Sequence, residues 1–311
     1  MRTWQVDSEQ VSDYPGIRRV HMYAFGGRMS EAIMVNLHRH REAYDPELSV
    51  TAREGDKVVG HALFSPRMVY LDHEQVPMVN LAPVGILPSH QGKGIGGDLI
   101  REGLARAKEK GYSACFLLGH PTYYPRFGFV PHAYSHSRIL VNLPSSEHIS
   151  GAVIRPFVAA DVKPAMDLWQ HQERQVRFSL MPDQELSGWL SVHPAASTRV
   201  LEQDGLLNGV VRFLPQGKDR ILFLIARDHE SAIQLVRSTG GDTNGISLPL
   251  DPENPLTRAW FPDAQAEFYC PAAAMMVSLN SVTVDHYFHT LTAGAMKAGR
   301  VLWPVEFEGM D

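Results

Sequence analysis

Residues 81–100 read LAPVGILPSHQGKGIGGDLI: an apolar run enters a turn with four glycines in six positions, Gly92, Gly94, Gly96 and Gly97, and leaves it as a helix. Past the turn, Ile95, Leu99, Ile100, Leu104 and Ala107 recur at helical spacing, and Gly111 marks a left-handed end. The first N–H groups of such a helix have no partner inside it and stand at the positive end of its dipole. Glycines at that point remove the side chains that would keep a ligand away from the main chain. A strand, a glycine turn and a helix start in this order hold a phosphate or pyrophosphate, and Lys93 adds charge from the rim.

Two phosphate motifs fit this segment poorly. A P-loop needs GxxxxGK followed by Ser or Thr, but Gly94 follows Lys93, and His90 stands where Gly85 would require a second glycine. The Rossmann string GxGxxG is met by Gly92, Gly94 and Gly97. Its ribose-binding acid should close the next strand, about 20 residues on; here that strand ends Leu118, Gly119, His120, without a carboxylate. A third pattern, [QR]xxGx[GA], is met by Gln91, Gly94 and Gly96.

The 311 residues predict two domains. Asp13 caps a helix carrying Ile17, Val20 and Ala24, and Ser30 caps a second with Ile33, Met34 and Leu37 on one face. LSVTARE, the turn Gly55-Asp56 and KVVGHALFSP read as a hairpin whose second strand loses regularity at Pro66. A strand from Pro77 to Leu87 carries Pro83, so a bulge is expected there. After the helix, in which Glu102 and Arg106 stand four apart, ACFLLG is a buried strand and PTYYPRF a short helix or turn. The class is α/β (α+β) with a central crossover helix. A polar stretch places the linker at 146–152, between domains 1–145 and 153–311.

Beyond the linker the order recurs. AVIRPF is a strand, Asp161 caps a helix with Val162, Met166 and Trp169, and RVLEQDGLLNGVVRFLP mirrors the first hairpin, with Gly209, Phe213 and Pro215 spaced as Gly60, Phe64 and Pro66. RILFLIA and SAIQLVRS follow as strand and helix. Where the glycine turn would recur stand Asp228, His229 and Glu230, whose carboxylates repel a pyrophosphate.

The segments GHALFSP, LAPVGILPSHQGKGIG, LIREGLARAKEKGY and YYPRFGF resemble, in order and spacing, the bacterial N-acetyltransferases of the GNAT superfamily, over roughly residues 1–145. The resemblance implies a mixed central sheet, splayed in the middle and flanked by helices, with a second, degenerate GNAT-like copy behind it. It implies acetyl-CoA as co-substrate, its arm added to the splayed strand through the main chain of Val84, Gly85 and Ile86 and its pyrophosphate cradled by Gln91, Gly92, Lys93, Gly94, Ile95, Gly96 and Gly97. Gly85 would make room for the thioester. Tyr124, with Gly128 and Phe129, matches the tyrosine that protonates the departing thiolate, and Tyr123 is the substitute. Many relatives carry a basic Glu on the strand before the turn; this strand offers only Asn80, which leaves His120, Glu31, His38, His40 or a water chain. Some tandem relatives bring the C-terminus to the acceptor site, which makes Asp311 a candidate.

The expected activity is acetyl transfer to a primary amine of a small molecule or peptide; the alternative is a non-catalytic acyl-CoA-binding sensor. A net charge of −5 argues against nucleic acid as a partner. No apolar run approaches a membrane span, the N-terminus lacks a signal-peptide core, and Cys115 and Cys270 read as buried free thiols, so the expected compartment is the cytoplasm. No metal site is expected, because His38 and His40 do not face each other on a helix. The second half would wall the acceptor pocket or form a homodimer surface, with Trp169, Trp189, Trp260, Phe261 and Trp303 serving either, or simply packing the core.

Overall fold

A computed structural model describes residues 3–143, 151–241, 244–292, 301 and 305–308. The first half runs β1 (Gln5–Ser8), α1 (Tyr14–Ala24), α2 (Ser30–Arg39), β2 (Ser49–Glu54), β3 (Lys57–Leu71), β4 (Glu74–Ile86), α3 (Ile95–Glu109), β5 (Ala114–Leu118) and β6 (His136–Val141). The second runs β7 (Ala152–Pro156), α4 (Val162–Glu173), β8 (Phe178–Leu180), β9 (Ser197–Gln203), β10 (Leu206–Phe213), β11 (Ile221–Ala226), α5 (His229–Ser238), β12 (Ile246–Leu248), α6 (Pro255–Trp260), β13 (Gln265–Tyr269), β14 (Ala274–Ser278) and α7 (Val282–Thr292).

One sheet has the order β1-β2-β3-β4-β5-β14, with β8 beside β3; a second has the order β11-β10-β9-β7, and a third β12-β6-β13. The second sheet repeats the start of the first, since β7, β9, β10 and β11 take the places of β1, β2, β3 and β4. The caps repeat as well. Asp13 accepts the main-chain N–H of Gln10 and Asp161 that of Val158, each carboxylate also held by an arginine, Arg53 or Arg155. Similar chain order and similar local bonding thus support the duplication read from the sequence.

The sheets do not follow a division at 146–152. β6, from the first half, sits between β12 and β13, while β14 from the second half pairs antiparallel with β5, from Ala274↔Leu118 to Ser278↔Ala114. β8 also crosses, extending β3 at Val69–Leu71. Strands that complete one sheet from the other half leave no trace in local sequence periodicity. Of the expected linker, residues 146–150 lie outside the described residues, as do Trp303 and Asp311.

Several local expectations hold and two change. Gly111 has φ +84°, and Glu102 accepts from Arg106 at 2.8 Å. The β3–β4 register slips between Ala62↔Val84 and Phe64↔Leu81, so β4 carries an extra residue at Ala82-Pro83. β3, however, runs straight through Pro66. β2 stops pairing at Leu63 and β8 begins at Val69, so the side of Pro66 that lacks an N–H faces no strand. Ser30 is the first helical residue of α2 rather than its cap; Met29 precedes it, and the Ser30 hydroxyl bonds Glu31 instead.

Helix α3 packs on β3 through Gly103: a Cβ there would stand 1.9 Å from Cε2 of the buried Phe64.

Candidate functional site

β4 and β5 run parallel only from Met78↔Ala114 to Asn80↔Phe116. Beyond Asn80 the two strands no longer pair, next to the bulge at Ala82-Pro83. A cleft of about 840 Å³ opens at the parting, lined by Val84 and Ile86 from β4, the segment Gln91–Asp98, Phe25 at the end of α1, and His120, Tyr123, Tyr124, Arg126 and Phe127 from the segment after β5. Alternation along β4 directs Val84 and Ile86 into this space.

At its floor, Gly92 and Gly94 hold φ of +77° and +96°, which a residue with a Cβ adopts only under strain. Gly94 caps α3 without any side-chain bond, and the first bond inside the helix runs from the N–H of Asp98 to the carbonyl of Gly94. The N–H groups of Ile95, Gly96 and Gly97 are therefore left over, at the positive end of a 15-residue helix. A Cβ on Gly96 would stand 2.7 Å from the hydroxyl oxygen of Tyr123, so only glycine keeps this wall open. The Gln91 amide donates to the carbonyl of Ile86 at 3.2 Å and ties the turn to the strand. Lys93, Arg101 and Arg126 face the cleft against the single carboxylate of Asp98, an excess of positive charge in a chain of net −5. The Arg126 guanidinium lies 4.1 Å from the Tyr123 ring centre.

The Tyr124 ring fills the space left by Gly119, whose Cβ would come 2.3 Å from the ring. Its hydroxyl has no hydrogen-bond partner among the described residues. Burial, with lesser contributions from Tyr123 and Cys115, pushes its pKa up to about 12. The phenol is thus a protonated donor without a bond to break.

The sequence-expected residues gather here with one exception. Val84, Ile86, Gln91, Gly92, Lys93, Gly94, Ile95, Gly96, Gly97 and Tyr124 all border the cleft. Gly85 does not: it is buried, and its missing side chain makes room for the ring of His21, not for a thioester. Of the expected bases, only His120 borders the cleft. His38 is buried, 3.6 Å from Glu306, and Glu31 is bonded by Ser30, while His40 is exposed. Asn80 is buried where β4 and β5 part, and both amide atoms lack partners among the described residues. Trp4, Phe25, Arg101 and Arg126 escaped the sequence reading, since nothing local to them marks a cleft assembled from four chain segments.

In the second half, the Asp228 carboxylate accepts the N–H of Ser231 at the start of α5. An acid thus occupies the position that the glycine turn leaves open in the first half. Among the described residues no group of three or more His, Cys, Asp or Glu is placed to hold a metal, and no helix is long and apolar enough to cross a membrane.

Comparison with known proteins agrees with this geometry. The acetyltransferase (GNAT) domain family matches residues 5–131. The chain is 42% identical over 121 residues to the uncharacterised N-acetyltransferase YjhQ of Escherichia coli, covering 39% of this chain and 66% of YjhQ. It is 34% identical over 118 residues to the uncharacterised N-acetyltransferase YhbS of Escherichia coli, covering 38% of this chain and 68% of YhbS. The crystal structure of a GCN5-related N-acetyltransferase from Kribbella flavida aligns with 88% of this chain and 70% of its own, at TM-score 0.69 and 20% identity, which extends the likeness of fold across both halves. The chain belongs to the GNAT acetyltransferases, and its fold is a mixed α/β arrangement with a splayed central sheet.

Proposed function

We propose that the protein transfers the acetyl group of acetyl-CoA to a primary amine by direct attack on the thioester. The observation that carries this reading is the cleft itself: three helix-start amides left without partners inside the helix, three cations, the edge of β4 that pairs with no described strand beyond Asn80 and the half-buried phenol of Tyr124 all border one cavity. A pyrophosphate fits the glycine turn, because the positions that would obstruct it carry no Cβ. The side of β4 at Val84–Ile86 that faces away from β3 adds the pantetheine as a strand would, and a β4 N–H polarises the thioester carbonyl. The amine nitrogen then forms the C–N bond, the C–S bond breaks, and Tyr124 donates its proton toward the leaving sulfur. Residues around 1–145 carry the chemistry. The second unit, closed at its own helix start by Asp228, supplies β14 to the catalytic sheet and helps shape the acceptor side, where a small-molecule or peptide amine is bound.

Asn80, in place of a strand carboxylate, favours a second reading in which the cleft binds acyl-CoA without turnover. Release of CoA thiol from acetyl-CoA with a panel of alkyl amines separates the two. Amine-dependent release supports the transferase. Tight acetyl-CoA binding with no release on any amine leaves the sensor.

A further inference from the structure

An alkylammonium loses two protons on becoming an amide. One ends on the CoA sulfur through Tyr124, and the second needs an acceptor that β4 does not carry. Behind β4, on the face covered by α1, lies a chain of four buried side chains. His21 Nε2 is 2.7 Å from His61 Nδ1, His61 Nε2 is 2.8 Å from Ser49 Oγ, and Ser49 Oγ is 2.7 Å from Glu9 Oε2. Arg39 clamps Glu9 with two bonds of 2.9 and 2.7 Å, and the Tyr44 hydroxyl donates to the same carboxylate. None of the four is more than 7% exposed.

The carboxylate sets the direction of every proton in this chain. Ion-paired Glu9 only accepts, so the Ser49 hydroxyl donates to it and receives the N–H of His61 Nε2. That leaves His61 Nδ1 as an acceptor, which takes the N–H of His21 Nε2. His21 Nδ1 is then a bare lone pair, and it has no partner among the described residues. It points at Gly85: a Cβ on that glycine would be 2.8 Å from Nδ1. Gly85 pairs with His61 across β3 and β4, and Phe25, one turn along α1 from His21 with ring centres 6.1 Å apart, lines the cleft. A buried nitrogen whose lone pair has given up water for no partner is held at a cost, and any Cβ at residue 85 would occupy its space.

We propose that His21, oriented by His61, Ser49 and Glu9, takes the second proton of the acceptor amine. The inference rests on the transferase reading of the cleft. Before attack, the bound ammonium gives up one proton, which passes through water beside Gly85 to the buried His21 Nδ1, and the freed nitrogen lone pair then forms the C–N bond. The resulting imidazolium keeps its Nε2–H bond to His61 and returns the proton to solvent after the amide leaves. Burial, His61 and Arg39 hold the His21 pKa well below the ordinary imidazole value, so the ring waits in the neutral, accepting form. Of the ionisable groups packed around it, His61 comes from β3 and Arg39 from α2, while Glu9 precedes α1 and acts through Ser49.

The test is a pH profile of His21→Gln with two nucleophiles, a strongly basic alkyl amine and a weakly basic aryl hydrazine, beside wild type. The expected loss in kcat with the alkyl amine is about 10²-fold or more near neutrality, in the range of general-base effects, and it shrinks as pH rises toward the amine's own pKa. The aryl hydrazine, already neutral, should lose little, and the Kd for acetyl-CoA should stay that of wild type. Equal losses with both nucleophiles, or no loss, overturns the proposal. If His21→Gln does not fold, Ser49→Ala carries the same comparison, because it frees His61 to flip while touching neither Gly85 nor the cleft; a smaller loss confined to the alkyl amine supports the relay, and a loss shared by both nucleophiles or absent overturns it. A wild type that acetylates no amine sinks the transferase reading along with this inference, whereas an active wild type with unaffected variants sinks the relay alone.

Discussion

Replacing Tyr124 with phenylalanine isolates one hydroxyl whose energetics the structure constrains from both sides. With its pKa at about 12, full proton transfer to a thiolate of pKa about 8.5 is uphill by about 3.5 units, or roughly 5 kcal/mol. In the proposed mechanism the early role of the phenol is therefore a hydrogen bond to developing thiolate charge, worth about 1.5–3 kcal/mol for a charged acceptor. That corresponds to a fall in kcat of about 10- to 150-fold, not abolition. Because the hydroxyl has no hydrogen bond to lose among the described residues, thermal stability should be unchanged or slightly raised. Thiol release with an alkyl amine gives kcat, and calorimetry gives the acetyl-CoA affinity. An unchanged kcat, or a fall matched by an equal loss of acetyl-CoA affinity, would refute the reasoning, since the ring would then merely pack against the CoA arm.

Three further outcomes follow from the packing. Gly103→Ala drives a Cβ into the buried Phe64 ring and should cost about 1–3 kcal/mol or more in urea unfolding; a variant as stable as wild type would show that α3 can shift away from β3 freely. Glu306→Ala removes a partner of the buried Arg67 and of Arg41, leaving Asp183 alone to balance them; a loss of about 3–5 kcal/mol is expected, and a variant as stable as wild type would show the cluster to be dispensable. Acid should destabilise the fold early. Burial lowers the pKa of His38 to about 3, so between about 6.5 and 3 the unfolded chain binds a proton that the folded chain does not, and stability falls as pH drops; at pH 5 His38 alone gives about 2 kcal/mol, with His21 and His61 shifted in the same direction. A urea midpoint that stays flat from pH 7 to pH 5 contradicts this.

How much of this was legible in the sequence depended on how local the physics is. The glycine turn was readable because left-handed φ values and an uncapped helix start demand particular residues at particular spacings. The bulge at Pro83 was readable for a similar reason, whereas Tyr124 was singled out only by the resemblance to the GNAT family. Gly85 was misread: a glycine signals that something approaches its main chain, and the sequence does not say that His21 is what arrives. The relay from His21 to Glu9 joins α1, β3, β2 and the segment after β1, so no window of sequence contains it. The exchange of β6 and β14 between sheets was hidden as well, because the alternation of a strand reports that one face is buried and not which sheet it joins.

The central claim is that the start of α3 grips a diphosphate, and titration calorimetry with CoA and with pantetheine, which lacks the diphosphate, tests it most directly. Gly94→Ala places a side chain at φ +96° where no protein atom stands within 4 Å, so the fold should survive with a strain of about 1–2 kcal/mol. Wild type should bind CoA much more tightly than pantetheine, and Gly94→Ala should remove most of that difference while leaving the pantetheine affinity in place. Equal CoA affinities for the two proteins, or no CoA binding by wild type, would contradict the account.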